Sequence, residues 1–330
     1  MAHQNMVGVD ISASTLSVAI YQGSSMETSN NPDGFETLLR WLTTHQIHPA
    51  SSIICMEATG VYGEALCYYL HHAGFSLAVE PPQQVAQAFA HQLRKNDRRD
   101  AEKIAEYAHR FHDRLHLWKA PEEIVEYITV LLSTREQLVK QLTAQQNALK
   151  AIERKHYRNQ VAETAYASLM QHFKEQIKRI DQTMKDLIKR HPGMHHTMTL
   201  LMSIPGVGWV FSSYLLVHTQ GFTKTLNPKQ LAAYVGICPY ERQSGSSLNR
   251  KPRSAGFGHS AFRKLLYLAS MSVRQHRKAF TLYFERKVAQ GKSKRLVLNN
   301  IANKLIKIIA AVLRTQKPFI ENYISIRTHA

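Results

Sequence analysis

The sequence predicts an α/β domain followed by an all-α remainder. Strands alternate with helices up to about residue 120, after an opening hairpin, which is typical of a mixed sheet with helices on its faces. Between residues 121 and 190, apolar residues recur at alternating three- and four-residue steps without a glycine, as in a coiled coil. Residues 195–330 carry helix signals and the excess positive charge. We therefore expect three segments: 1–120, 121–194 and 195–330.

The predicted sheet begins with two strands joined by a short turn. In the first strand Val7, Val9 and Ile11 alternate with Gly8 and Asp10, so Asp10 should lie on the face opposite the aliphatic one. The same patterns predict strands over residues 6–11, 15–21, 52–57 and 75–79, and helices over residues 32–46, 61–72 and 82–93.

Two aspartates head the next predicted helix. Asp97 and Asp100 are three residues apart and share one helical face, Asn96 can cap the helix, and the macrodipole favours carboxylates in its first turn. The face continues as an apolar stripe through Ala101, Ile104, Ala105 and Ala108. Two interpretations are open: the aspartates pair at the surface with Arg94, Arg98 and Arg99, or they face a bound cation.

Two further carboxylates should lie near this helix. Asp10 is inside the first strand and Glu57 ends the 52–57 strand, so neighbouring strands would bring them within several ångströms of each other. Four acidic groups without Cys or His suit a hard cation such as Mg²⁺, which prefers oxygen ligands. A two-metal arrangement would suit phosphodiester chemistry.

The 121–194 segment predicts two long helices. Arg135 and Gln145 interrupt an otherwise apolar seam of Ile124, Ile128, Leu131, Leu138, Leu142, Leu149 and Ile152. The polar stretch 154–160 predicts a reversal before a second amphipathic run. The pair can form a helical hairpin within one chain or an arm that joins two chains, and both interpretations are open.

A glycine-containing turn follows the arm. Residues 204–208 read Ile-Pro-Gly-Val-Gly between two short apolar helices, which resembles a helix-hairpin-helix. Backbone N–H groups at Gly206 and Gly208 could hold a DNA phosphate without reading base sequence. The alternative is a plain connection between helices.

A serine- and glycine-rich loop is predicted over residues 236–247, after a helix that begins at Asn227-Pro228 and ends at Gly236. A serine hydroxyl is a weak nucleophile by itself, so Ser244 alone would be a linker residue. Nearby cations are expected to contact nucleic-acid phosphates: Arg242, Arg250, Lys251, Arg253, Arg263 and Lys264.

The charge is concentrated at one end of the chain. Residues 1–120 carry 9 Lys/Arg against 12 Asp/Glu, residues 121–194 carry 12 against 9, and residues 195–330 carry 21 against 3. A folded segment this basic most often binds nucleic acid. Three cysteines, no signal peptide and no apolar run of membrane length predict a cytosolic protein without a membrane partner.

Three segments together resemble the DEDD transposases of insertion sequence family 110, which include Piv-type DNA invertases and bridge-RNA-guided recombinases. The N-terminal matches are Gly8-Val9-Asp10, Met56-Glu57-Ala58-Thr59-Gly60 and Asn96-Asp97-Arg98-Arg99-Asp100-Ala101. The 204–208 turn and the 236–245 loop are similar to the family's C-terminal domain. The resemblance implies a RuvC-like domain of RNase H fold, a coiled-coil arm and a helical transposase domain.

The resemblance also implies site residues and partners. Asp10, Glu57, Asp97 and Asp100 would be the Mg²⁺ ligands and Ser244 the nucleophile, although Ser246 and Ser247 are close enough in sequence to be alternatives. Donor DNA, target DNA, a noncoding bridge RNA and a homodimer that assembles to a tetramer would be the partners, in the bacterial cytoplasm at the nucleoid.

The resulting hypothesis is site-specific DNA recombination through a serine–DNA covalent intermediate. The site could be composite, because the acids and the serine belong to different segments. A metal-only, junction-resolving nuclease with water as nucleophile is the main alternative. A non-catalytic architectural protein that binds nucleic acid is the third.

Overall fold

The computed structural model describes residues 5–58, 60–89, 97–219, 227–244, 248–254 and 258–321. The chain forms two compact units, Met1–Ala120 and Pro121–Ala330. The further division of the second unit at residue 194 stays a prediction.

A five-stranded mixed sheet forms the centre of the first unit. Its strand order is β3-β2-β1-β4-β5; β1 pairs antiparallel with β2 and parallel with β4. The strands are β1 (Asn5–Ile11), β2 (Thr15–Ile20), β3 (Ser25–Ser29), β4 (Ser52–Glu57) and β5 (Ser76–Glu80). This mixed sheet is consistent with the expected RNase H-like domain.

Helices cover both faces of the sheet. They are α1 (Pro32–Thr44), α2 (Glu64–His72), α3 (Pro82–Ala88) and α4 (Asp97–Arg110). Val7 and Val9 pack with α1 and α2 in one core, whereas Met6 and Cys55 pack with α3 and α4 in another. The predicted alternation along the first strand is therefore confirmed, and Asp10 belongs to the α4 side.

Some predicted elements differ in extent. The helix predicted over residues 61–72 begins as a short 3-10 turn, Gly60–Gly63, before α2. The helix predicted over residues 82–93 ends at Ala88, and residues 90–93 lie outside the described residues, as does Asn96. Strand β3 was not predicted, because this half-exposed edge strand reads Ser-Met-Glu-Thr-Ser and lacks a hydrophobic alternation.

Two long antiparallel helices, α5 (Glu123–Glu153) and α6 (Gln160–Arg190), begin the second unit. They pack on each other within the chain, and Asn159 in the predicted joint caps α6 by accepting bonds from Val161 N and Ala162 N. Arg135 interrupts the apolar seam because its Nε donates to Asp181 Oδ1 on α6 at 2.6 Å. One chain thus forms the hairpin, while a coiled coil between chains stays a prediction.

The rest of the second unit is helical except for one β-hairpin. Its helices are α7 (Pro192–Met202), α8 (Trp209–His218), α9 (Pro228–Val235), α10 (Ser260–His276), α11 (Lys278–Ala289) and α12 (Lys294–Thr315). Strands β6 (Pro239–Ser244) and β7 (Leu248–Ser254) pair antiparallel. The all-α prediction for residues 195–330 was therefore wrong at the serine-rich loop, where the pairing strands are polar and show no apolar alternation.

Helix α12 is long and apolar enough to cross a membrane by length and composition, and it is the single such helix among the described residues. Its apolar side chains, including Val297, Ile301 and Leu305, are fully buried in the core of the second unit. That burial is typical of the core helix of a folded domain.

Candidate active site

A row of carboxylates crosses three adjacent parallel strands. Val9 on β1 lies opposite Met56 on β4, so the next positions, Asp10 and Glu57, are neighbours. Glu57 in turn lies opposite Glu80 on β5. Because neighbours in register share a face of a parallel sheet, all three positions lie on the α4 side.

Helix α4 approaches this row closely because β1 has a glycine where they cross. A Cβ at Gly8 would collide with Ala101 O and Ala105 N of α4. Ala101, Ile104, Ala105 and Ala108 are buried, which confirms the predicted apolar stripe. This contact sets the first turn of α4, with Asp100, beside the row.

Mutual repulsion of the carboxylates is visible at Glu57. Burial raises the pKa of the Glu57 carboxyl above its usual range, and the charges of Asp10 and Asp100 raise it further. Lys103, whose Nζ donates to Asp100 Oδ1 at 2.8 Å, lowers the same pKa. Asp10, Glu57 and Asp100 therefore form one electrostatic cluster in which a further cation would be stabilising.

The structure brings together three of the four predicted acidic residues. The backbone of Asp97 begins α4, but its side chain lies outside the described part, as do those of Arg94, Arg98 and Arg99. Asp100 pairs with Lys103, a partner that the sequence analysis did not name. Among the described residues, no three His, Cys, Asp or Glu side chains are arranged to hold a metal ion.

Two residues of the cluster, Glu80 and Lys103, were missed. Glu80 is 2% exposed and accepts a hydrogen bond from His116 N at 3.2 Å. Burial, followed by the charges of Glu80 and Glu57, raises the pKa of the Cys55 thiol to about 12. Glu80 ends β5 as Glu57 ends β4, and Lys103 follows Asp100 by three residues, so position in the predicted elements could have indicated both.

The predicted nucleophile lies at the tip of the β-hairpin. Ser244 is the last residue of β6, opposite Leu248, and residues 245–247, including Ser246 and Ser247, lie outside the described part. Arg242 lies opposite Arg250, and Arg253 lies opposite Tyr240. Lys251 follows Arg250 on β7, so this short hairpin carries four cationic positions.

A cluster of His and Tyr side chains supports the base of the hairpin. Tyr234 Oη and His218 Nδ1 are hydrogen-bonded at 2.9 Å, and the rings of His218 and His259 lie 4.2 Å apart. His259 N donates to Tyr234 O at 3.0 Å, which ties the chain after β7 to the helix before β6. Burial, and then the charge of His259, lowers the pKa of His218 to about 4, so the imidazole is neutral at pH 7.

The remaining residues predicted to contact phosphates differ in how accessible they are. Arg263 donates to Val235 O at 3.3 Å and so has a structural contact at the end of α9, whereas Lys264 is exposed. Gly206 has a φ of 78°, and a Cβ there would lie 2.8 Å from Ala269 O, so its glycine serves the packing of the turn on α10. Gly208 caps the start of α8, and a Cβ there would meet open space, so this end of the helix is accessible from outside.

Comparisons with known proteins agree across nearly the whole chain. Residues 7–157 match the family model of IS110-type DEDD transposases, whose description is "Transposase". Residues 198–285 match the family model described as "Transposase IS116/IS110/IS902 family".

Individual relatives give the same result. Pilin gene-inverting proteins of Moraxella bovis and Moraxella lacunata are each 30% identical over 325 residues, which is 95% of this chain and 97% of each relative. An insertion element IS110 protein of 43.6 kDa from Streptomyces coelicolor is 27% identical over 140 residues, or 42% of this chain and 33% of that protein. With these matches and the fold, the chain belongs to the IS110-type DEDD transposase family and is a DNA recombinase or transposase.

Proposed function

We propose that the chain performs site-specific DNA recombination through a serine–DNA covalent intermediate formed by Ser244, with divalent metal ligands at Asp10, Glu57, Asp97 and Asp100. The observation that carries the proposal is the convergence of Asp10, Glu57 and Asp100 on one side of the sheet, where burial, followed by the charges of Asp10 and Asp100, raises the pKa of Glu57. A cluster of carboxylates under mutual repulsion is the donor set that a hard cation prefers.

Mg²⁺ fits this donor set, because the described members are carboxylates and no thiol or imidazole is among them. When bound, it would supply charge neutralisation for the scissile phosphate and for the attacking oxygen. Glu57 would be ionised in the loaded site, and Lys103 would keep Asp100 oriented.

The serine step conserves the phosphodiester bond energy. The Ser244 Oγ attacks phosphorus and loses its proton, a Ser244 Oγ–P bond forms, and the P–O bond to the leaving strand breaks as the leaving oxygen takes up a proton. A strand hydroxyl then reverses the reaction and releases Ser244. Arg242 and Arg250, opposite each other on the hairpin, would bind phosphate oxygens, together with Lys251 and Arg253.

Other phosphate contacts would position the DNA. The open start of α8 at Gly208, the turn at Gly206 and the exposed side chain of Lys264 would contact backbone phosphates. Arg263 donates one hydrogen bond to Val235 O, and its remaining N–H groups could bind a phosphate.

The partners would be donor and target DNA, a noncoding bridge RNA and further copies of the chain, without a membrane, in the bacterial cytoplasm at the nucleoid. Net charge of +18 supports nucleic-acid partners. The distal half of the α5–α6 hairpin, residues 133–183, has no fully buried side chain among the described residues. Those half-covered apolar positions support a homodimer that assembles further through this arm.

A metal-only nuclease is the second candidate. It is favoured by the placement of the acidic cluster within the first unit, since water could act as nucleophile there without the serine hairpin. Membership of a transposase family speaks against the third candidate, a non-catalytic architectural protein.

The decisive experiment is a search for covalent protein–DNA adducts. Wild-type protein, Ser244→Ala, Ser246→Ala and Ser247→Ala are incubated with labelled DNA that spans the ends of the element, its RNA and Mg²⁺, and then denatured in detergent. We expect labelled adducts with every protein except Ser244→Ala, which should still bind DNA. Adducts in Ser244→Ala, or cleaved DNA free of protein in the wild type, would contradict the serine mechanism.

A further inference from the structure

Helices α11 and α12 line an open cavity of about 380 Å³, none of whose lining residues belongs to the hairpin or to the acidic cluster. Its lining residues combine apolar and cationic side chains: Ala279, Phe280, Tyr283, Lys304, Lys307 and Ile308. A concave site with an apolar floor and a few convergent charges is typical of a ligand pocket.

Two cations lie over one tyrosine of this cavity, and two more lie near the first of them. Lys304 Nζ lies 3.8 Å from the centroid of the Tyr283 ring, and the guanidinium carbon of Arg286 lies 6.0 Å from the same centroid. Lys287 and Lys307 are close enough to Lys304 to act on it electrostatically. Within the described part of the chain, no acidic side chain forms an ion pair with any of the four.

This crowding of like charge is unfavourable without an anion. Partial burial lowers the pKa of the Lys304 ammonium, and the charges of Arg286, Lys287 and Lys307 lower it further. A phosphate among these groups would replace mutual repulsion by charge-assisted hydrogen bonds.

We propose that this cavity binds one unpaired nucleotide of a single-stranded nucleic acid, with its phosphate at Lys304 and Lys307 and its base against Phe280 and Ile308. A single strand fits better than a duplex, because only an unpaired base can leave its stack and reach the apolar floor of a cavity. The inference rests on the proposed function only in that the chain handles nucleic acid.

A second cavity of the same size provides a matched control. It has a volume of about 400 Å³ between α5 and α6 and is lined by residues that include Lys174, Lys178 and Asp181. It contains three exposed lysines, Lys174, Lys178 and Lys185, but no aromatic side chain, and Asp181 contributes negative charge. Removing Lys174 and Lys178 changes the net charge by the same amount as removing Lys304 and Lys307.

The test compares the affinity of full-length variants for a fluorescent 12-nucleotide single strand and for the matching duplex over a range of salt concentrations. Lys304→Ala with Lys307→Ala should weaken single-strand binding about tenfold and lower the magnitude of the salt slope by about 0.7, for the one phosphate that both lysines contact. Lys174→Ala with Lys178→Ala should change the single-strand affinity less than about twofold. In the variant with Lys304→Ala and Lys307→Ala, the duplex affinity should change less than the single-strand affinity.

The pocket proposal would be overturned if the two double variants lost the same binding affinity, or if the first variant lost the same affinity for the single strand as for the duplex. Crosslinking of the wild-type protein to a single strand that contains 5-iodouracil gives a readout that does not depend on how the variants fold. We expect the adduct at Phe280 or Tyr283, and an adduct elsewhere would count against the proposal. A wild-type chain that binds neither strand would contradict the pocket and the proposed function together, whereas duplex binding without single-strand binding would contradict the pocket alone, so the two failures are distinguishable.

Discussion

Glu57 is the residue at which the acidic cluster is least stable. It is half-buried beside Asp10 and Asp100, and Lys103 offsets only part of that negative charge. In metal-free buffer, Glu57→Gln should therefore increase the free energy of unfolding, by up to about 1 kcal/mol because solvent screens a half-buried group. Chemical denaturation in EDTA measures this, with the exposed Glu64→Gln as control; a destabilised Glu57→Gln would contradict the repulsion.

His218 makes stability depend on pH in the second unit. Its pKa is about 4 in the folded protein against an ordinary value of 6.5, so the unfolded chain binds more protons between these pH values. The contribution is fully present above pH 6.5 and is lost as the pH falls towards 4.

The corresponding prediction is that His218→Phe flattens the fall in stability between pH 6.5 and pH 4. After allowance for solvent around a partly exposed ring, the effect should be on the order of 2 kcal/mol. Denaturation curves over this pH range measure it, with the exposed His195→Gln as control. An unchanged slope in His218→Phe would show that His218 does not titrate as described.

Among the contacts between secondary-structure elements, the acidic cluster depends on the crossing of β1 and α4. Gly8→Ala places a methyl group against the backbone of Ala101 and Ala105, which are both buried and have no side-chain freedom to yield. We expect a loss of about 2–3 kcal/mol in the free energy of unfolding and a displacement of Asp100 from Glu57. Thermal denaturation checks this against Gly193→Ala, where the nearest atoms lie 3.9 Å away; equal stability of both variants would contradict the close approach.

Sequence patterns predicted those elements whose apolar residues follow one period. The strand over residues 52–57 and the helix start at Asn227-Pro228 are confirmed, because buried aliphatic residues and a capping side chain mark them. Strands β3, β6 and β7 were not predicted, since they are polar and depend on pairing with a neighbour. Arg135 interrupted the predicted seam for a reason that sequence spacing could not show, namely its ion pair with Asp181.

At the scale of the whole molecule, the cluster depends on chain topology. Alternation within the first strand indicated the face of Asp10, but its position beside Glu57 requires the parallel pairing of β1 with β4, on the side of β1 opposite to β2. Sequence alone does not give that strand order, which the structure establishes. Glu80 and Lys103 lie outside the family motifs, so the resemblance could not indicate them, and only their positions, at the end of β5 and one helical turn after Asp100, could have done so.

Binding of Mn²⁺ tests the central claim most directly, because this ion takes the same oxygen ligands as Mg²⁺ and its free form is counted by electron paramagnetic resonance. The measurement needs neither the DNA site nor the RNA. Wild-type protein and Asp113→Asn, which removes an exposed carboxylate outside the cluster, should bind the ion equally. Asp100→Asn should bind it at least about tenfold more weakly; Mn²⁺ affinity that is equal in all three proteins would contradict a metal centre at Asp10, Glu57 and Asp100.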